Sequence, residues 1–387
     1  MNKFKTALLI ILIPLLGISQ NRGKNQDSIV AGFRASRILS SYPNNQFPSP
    51  EYWLSVGDGM AAKFNNASPA GIWIVSLYMD DGYTKLNFPS ACGSCDYIWF
   101  SEEDQNEEWL TYFDEHGLKV WLQVEPGAAD ILTLMQLVIT RYQDHPCVIG
   151  FGVDIEWFQA QDYPEGKPVT DEEAELWETT LKEYNPAYTL FLKHYNKDWM
   201  PPECRGDILF VDDSQDFGWA NDPFGFMVNE FGEWAAEFSP NPSAFQFGYP
   251  ADQSWWSQLN DPPQDIGQAL IDNIPECYGI FWVDFTITQI FPVSGYNELQ
   301  TSGIRLYNYP NPFRNRTSFI FELPVNVTGH FKIFDTRGNI IEKTTEQTFT
   351  KGKHNIPFNA INLQQGAYYY KFISDGYSET NRFIIVK

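Results

Sequence analysis

Eight short apolar runs, separated by helix-like stretches, constrain this chain more than any other feature of its sequence. The runs span residues 29–36, 72–79, 119–124, 148–157, 189–195, 208–211, 244–249 and 278–285, and are rich in β-branched and aromatic residues. Such runs read as buried strands. Helical periodicity falls between most of them, at 49–64, 102–115, 128–143, 170–184, 224–238 and 264–274. Thr170-Asp-Glu-Glu173 is a capping box with an acidic first turn, and His116-Gly117 is a helix stop. Only the link between the fifth and sixth runs is short and Pro-rich. Strand–helix alternation builds parallel sheets, and eight units in about 265 residues match the size of a closed (β/α)8 TIM barrel. An open doubly wound sheet is the competing arrangement. It would carry a Gly-rich phosphate turn after its first strand, and none is present.

Near residue 300 the texture changes. From Ile304 onward, 11 Lys and Arg face 6 Asp and Glu, whereas the residues before it carry 15 against 43. Helical periodicity gives way to short alternating strands with turn signals such as Thr336-Arg-Gly-Asn339 and Ser374-Asp-Gly376. The expected fold class is therefore α/β: a (β/α)8 barrel over 21–300, followed by a small all-β immunoglobulin-like sandwich over 304–387. The chain's net charge of −23 argues against nucleic acid or an anionic membrane surface as partner.

Residues 1–20 read as a signal peptide. Lys3 and Lys5 precede an apolar run from Ala7 to Leu16, and Gly17-Ile-Ser-Gln20 offers small residues for cleavage. The run is short for a bilayer span, and no membrane span is expected after its removal. Five cysteines are present. In an exported chain, Cys92 and Cys95 read as a local disulfide. A zinc site would need two further ligands at suitable spacing, so neither metal nor cofactor is expected. Cys147, Cys204 and Cys277 each precede a strand.

Barrel chemistry sits at the C-terminal strand ends. Those ends carry Arg34 and Ser36, Tyr78 with Asp80 and Asp81, Gln123 and Glu125, Asp154 and Glu156, Lys193 and His194, Asp212 and Asp213, Gln246 and Tyr249, and Trp282 with Asp284. Alternation along the fourth strand points Gly150, Gly152, Asp154 and Glu156 at the barrel axis, with the two carboxylates about 7 Å apart. Crowded carboxylates raise one another's pKa, as a general acid at neutral pH requires. Asp154, Glu156, Asp212 and Asp213 are the catalytic candidates. Either Glu156 is the acid, or Asp154 is a nucleophile served by Asp212 or Asp213. Arg34, Tyr78, Glu125, Lys193, His194, Tyr249, Trp282 and Asp284 are the candidates for holding substrate. No Gly-x-Ser-x-Gly elbow is present.

Two resemblances add to this reading. Leu306-Tyr-Asn-Tyr-Pro-Asn-Pro-Phe313, Lys332-Ile-Phe-Asp-Thr-Arg-Gly338, Leu363-Gln-Gln-Gly-Ala-Tyr-Tyr-Tyr370 and the terminal Phe383-Ile-Ile-Val-Lys387 resemble the C-terminal sorting domain of the type IX secretion system of Bacteroidetes. That resemblance implies export to the cell surface or beyond, with the outer-membrane secretion machinery as partner. Asp154-x-Glu156 and Gly279-Ile-Phe-Trp-Val-Asp284 resemble the fourth and eighth strands of family-18, chitinase-like glycoside hydrolases. There the resemblance implies Glu156 as acid, Asp154 orienting an acetamido group, and Trp282 as subsite floor. The family's earlier acidic positions are Ile149 and Gly152 here.

Together these features describe a secreted, endo-acting glycosidase that acts on a polysaccharide, either N-acetylated and chitin-like or sulfated and fucan-like. The aromatic content of 16%, with 13 Trp, suits sugar stacking. A glycan-binding barrel without catalysis, or a lyase or deacetylase, is the alternative.

Overall fold

Every one of the eight apolar runs forms a parallel strand, and together they close into a barrel. The strands are β1 (Val30–Ala35), β2 (Ser68–Ile74), β3 (Lys119–Val124), β4 (Val148–Asp154), β5 (Thr189–Lys193), β6 (Ile208–Asp212), β7 (Ser243–Phe247) and β8 (Cys277–Val283), with β8 pairing back onto β1. The structure is a computed structural model that describes residues 29–79, 81–89, 95–292, 306–323, 326–336, 339–374 and 377–386. The expected signal peptide, Asp80 and Cys92 lie outside the described residues.

Helices α1 (Pro50–Ala61), α2 (Glu107–His116), α3 (Ile131–Tyr142), α4 (Asp171–Tyr184), α5 (Pro223–Phe238) and α6 (Pro262–Asn273) follow six of the strands, and α7 (Asp284–Ile290) follows β8. The stop and start signals act as expected. Gly117 ends α2 with φ 77°, and Thr170 and Glu173 cap α4 reciprocally. Between β5 and β6 only a single 3-10 turn, Lys197–Trp199, intervenes.

Two element boundaries depart from the sequence pattern. β2 starts four residues before the expected run, because Pro69 sits at a strand start, where it costs no essential ladder bond. The end of that run, Ser76–Tyr78, leaves the barrel. It pairs with Thr84–Leu86, which pairs in turn with Ile98–Phe100, making a small three-stranded sheet. The other departure is in β4, which stops at Asp154, where Ile155–Trp157 turns into a 3-10 helix. Glu156 is therefore not an axis-facing strand residue as the alternation implied.

Strand parity creates two cores. Outward residues such as Phe33, Leu122, Phe151, Leu192 and Phe210 pack under the helices. Inward residues Trp121, Phe191, Leu209, Val211 and Phe281 fill the barrel itself. Two glycines make room for this plug. A Cβ on Gly152 would lie 2.0 Å from Phe191 Cζ, and one on Gly150 would lie 2.6 Å from Trp121 Cδ1. At the seam, Arg34 Nη1 donates to Asp284 Oδ1 at 2.6 Å, and Asp284 Oδ2 accepts from Ser36 N and Ser36 Oγ, each at 2.7 Å.

The C-terminal residues form two antiparallel sheets. One contains Tyr307–Tyr309, Arg316–Leu323 and Gly352–Asn359; the other is built on Val327–Phe334, Gly366–Ser374 and Tyr377–Ile385, with Ile340–Lys343 and Gln347–Phe349 alongside. Alternate residues Thr317, Phe319, Phe321 and Leu323 point inward, and Phe319 stacks on Tyr370 at 4.4 Å.

Gly152→Ala should force Phe191 out of the barrel plug and destabilise the chain by about 1–3 kcal/mol, as overpacking does. Urea unfolding followed by tryptophan fluorescence checks this. An unchanged midpoint would show that the plug yields freely.

Candidate active site

Above the aromatic plug, the inward positions turn polar. Gln123 and Asp154 continue the inward rows of β3 and β4, Lys193 ends β5, Asp213 follows β6, and Gln246 lies on β7. All five are buried. Lys193 is the centre of this layer. Its ammonium bonds to Asp213 Oδ2 and lies 3.0 Å from Asp154 Oδ2. Gln123 Nε2 donates to Asp154 Oδ2 at 3.1 Å, and the Tyr249 hydroxyl lies 3.3 Å from Asp213 Oδ2. At the edge, Glu125 Oε2 accepts from Tyr78 N at 2.9 Å.

Charge bookkeeping explains how these groups titrate. Five carboxyls (Glu125, Asp154, Glu156, Asp213 and Asp284) share the mouth with two cations, Arg34 and Lys193. Burial works against the Arg34 charge, but Asp284 outweighs it and holds the guanidinium protonated. Burial likewise opposes the Lys193 charge, yet Asp154 and Asp213 keep it well above its ordinary value. Asp213 feels burial too, but Lys193 overrides it and holds this carboxyl below the usual range. Lys193 is shared between Asp154 and Asp213, and Glu125 and Glu156 feel the two cations only at longer range. Burial raises Glu125, Asp154 and Glu156, and neighbouring carboxylates add to it, pushing Asp154 and Glu156 to about 7. Of the five, only Glu156 is not fully buried; it is half-buried in the 3-10 turn after β4. Beside it, Trp157 stacks on Tyr78 at 4.9 Å and 21°.

Other expected site residues fall elsewhere. Asp212 shares the outward parity of Phe210. Its Oδ1 accepts from Ser214 N at 2.8 Å, and burial raises its pKa well above the ordinary value, with Asp213 and Glu230 of α5 adding to the rise. His194 also faces outward. It stacks on Trp199, its Nδ1 accepts from Asn196 N, and its Nε2 donates to Glu165 O, which fixes a neutral ring that burial keeps less basic than usual. Trp282 is fully buried under the helices, against Trp256 and Phe247, with Nε1 bonded to Thr286 Oγ1. It is no subsite floor, and the role implied by the chitinase-like resemblance does not hold for it. Trp157 was not among the expected site residues; strict alternation turned it away from Glu156, and the 3-10 turn brings it back.

One trio could in principle take a metal. Asp114, His145 and Cys147 bring their ligand atoms within 4.8 Å of one another, below the barrel at the start of β4. Asp114 already accepts from Cys147 N at 2.7 Å and bonds His145 Nδ1 at 2.6 Å. Burial, reinforced by Asp114, pushes the Cys147 thiol up, away from the thiolate a metal needs. Cys147, Cys204 and Cys277 are free thiols, and Cys95 is disulfide-bonded.

Comparison with known proteins bears mainly on the C-terminal sheets. Residues 308–387 match a secretion system C-terminal sorting domain. That domain marks proteins carried by the type IX system to the cell surface or the extracellular space. No curated protein matches the chain. Among solved structures, the chain is similar to an apo β-glucuronidase of Bacteroides uniformis, at 13% identity and TM-score 0.33, covering 78% of this chain and 45% of that one. It is also similar to an engineered protein, at 9% and 0.35 with 94% of each chain covered. A third similarity is to an arabinose-bound α-L-arabinofuranosidase, at 13% and 0.29, covering 71% and 57%. The chain thus spans about half the length of the glucuronidase, and likeness at this level says nothing of reaction or substrate.

Glu156 binds its proton more tightly in the folded chain than at its ordinary 4.5, so it costs stability as pH rises from that value to about 7. Glu156→Gln should therefore melt at a higher temperature than wild type at pH 8 and at the same temperature near pH 4. Melting curves across pH check this. A variant less stable than wild type at pH 8 would mean that ionised Glu156 is held by favourable contacts.

Proposed function

We propose that the chain is a secreted, endo-acting glycoside hydrolase whose general acid is Glu156. One observation carries the reading. Glu156 is the carboxyl in the mouth that a substrate can reach, and it holds a proton up to about pH 7. Cleaving a glycosidic bond needs such a proton at the leaving oxygen, and a negative field to stabilise the sugar cation that forms. Asp213, kept ionised by Lys193, supplies that field, and Asp154 sits between the two with its own proton at about 7. Trp157 and Tyr78 offer stacked ring faces beside the acid.

Of the two substrate classes that the sequence suggests, the N-acetylated one fits better. A sulfated glycan needs an unengaged cation. Arg34 is spent on Asp284, Lys193 on Asp154 and Asp213, and His194 is neutral and faces away. Asp154 and Asp213 are also too buried to attack an anomeric carbon directly. An acetamido group supplies its own nucleophile, as in substrate-assisted hydrolases. Buried Asp154 and Asp213 then act through the field and through orientation.

A reducing-end assay on chitin, peptidoglycan, laminarin and sulfated fucan tests the reading. The expected result is release from an N-acetylated polymer. Glu156→Gln should lower kcat by about 10²–10⁴-fold with the fold retained. Near-wild-type turnover in that variant would remove Glu156 from the chemistry. Asp213→Asn should be severely impaired and Asp212→Asn close to wild type, since only the former faces Lys193. For pH, the acid must be protonated and Asp213 ionised. Rate should therefore fall as pH rises through about 7 and persist on the acid side to below the usual carboxylate range. A profile still rising above pH 8 contradicts the assignment.

A further inference from the structure

We propose that Trp219 is a sugar-stacking subsite on the rim of the barrel mouth, gripping a ring of the polysaccharide away from the bond that Glu156 protonates. The inference rests on the glycosidase reading for what is cleaved, but not for what is bound. Trp219 lies in the loop that leaves β6 just beyond Asp213, so it belongs to the barrel face where β4 delivers Glu156. Its side chain is 69% exposed.

A lone exposed ring needs no explanation. This one is braced. Trp219 meets Phe226 of α5 in a T-shaped contact, with centroids 4.9 Å apart and planes at 67°, and most of the indole surface stays open to solvent. The loop beneath is clamped by Asp252, which is buried. Its carboxylate accepts from Asp216 N at 3.0 Å, from Phe217 N at 2.7 Å and from Trp255 Nε1 at 2.8 Å. Asp216 adopts φ +66°, a conformation that asparagine and aspartate tolerate better than most residues. Phe217 turns inward as a buried anchor. A buried carboxylate spent on three N–H donors to fix a loop that ends in an open indole is preorganisation: the ordering cost of binding is met before the ligand arrives.

The occupant follows from charge and shape. Residues before Ile304 carry 15 Lys and Arg against 43 Asp and Glu, a field that repels anions. A flat aromatic face in that field suits the C–H face of an uncharged pyranose. Its place on the catalytic rim makes that pyranose part of the polymer whose bond is cut, so the substrate is a chain and not a disaccharide.

The test is a KM-against-kcat comparison of wild type, Trp219→Ala and Trp219→Phe on soluble glycol chitin and on an N-acetylglucosamine trimer. Trp219→Ala should raise KM for the polymer about tenfold, the loss of about 1.4 kcal/mol. kcat should hold within twofold, Trp219→Phe should recover most of the loss, and the effect should shrink on the trimer. Equal KM values for the polymer, or equal losses on both substrates, overturn the proposal. If wild type cleaves neither substrate, the glycosidase reading fails by itself, and calorimetric titration with glycol chitin decides the subsite. Binding that Trp219→Ala abolishes supports it; binding that survives, or is absent in wild type, overturns it. A variant that binds glycan normally but loses self-association in sedimentation overturns it in favour of a protein contact.

Discussion

The polar layer of this barrel hangs on one buried ammonium. Lys193 enters from β5 and meets Asp213 after β6 and Asp154 at the end of β4, all three shielded from water. A charge in that position is tolerable only while its partners stay in place. Removing one partner of a buried pair typically costs about 3–5 kcal/mol, because the other is left uncompensated. The ammonium cannot neutralise both aspartates and Glu156 as well. It secures Asp213, while Asp154 and Glu156 retain protons near neutrality. Two acids and one fixed carboxylate thus follow from a single shortage of positive charge, with no ligand needed to create them.

Much of this was legible in the sequence, for reasons that also mark where it stopped. β3 and β5–β7 were visible because buried parallel strands are dense apolar runs. Gln123, Asp154, Lys193 and Gln246 were legible because period-two alternation continues along β3, β4, β5 and β7. Alternation also separates Asp213 from Asp212, since Leu209 and Val211 fix the inward parity, even though composition alone leaves the two adjacent acids equivalent. Alternation does not account for the position of Glu156. It sits near the acids because β4 breaks into a 3-10 turn, and no periodic signal reports a change of φ and ψ at a strand end. Trp282 reads as a rim residue from its strand-end position and from the resemblance, yet its parity with Ile280 points it at the helices. The small sheet of Ser76–Tyr78, Thr84–Leu86 and Ile98–Phe100 leaves no mark in the sequence, because its three-residue strands are too short to show a period.

Charge is divided along the chain as well as within the mouth. Residues from Ile304 onward carry an excess of basic groups, and those before it carry the whole acidic surplus. The acidic part is the one that holds the mouth, where every cation in the polar layer is already paired. Both the long-range field and the local pairing therefore oppose anions at the mouth, so this bias does not depend on any single contact.

Aromatic packing below the layer determines how strongly these acids are perturbed. Burial is the largest cause of the raised values at Glu125, Asp154 and Glu156, exceeding the repulsion among them. Burial on that scale requires a barrel that is dry underneath. Trp121, Phe191 and Phe281 provide it, and the first two fit only because Gly150 and Gly152 present no Cβ to them. The same strand then ends in Asp154 and turns to present Glu156. Thus the glycines of β4 and its acids are two halves of one device. The first two positions admit the rings that exclude water, and the last two hold the protons that the exclusion of water raises. A larger residue at either glycine would displace a ring, admit solvent from below and lower those pKa values, even though both glycines lie in the plug and not in the polar layer.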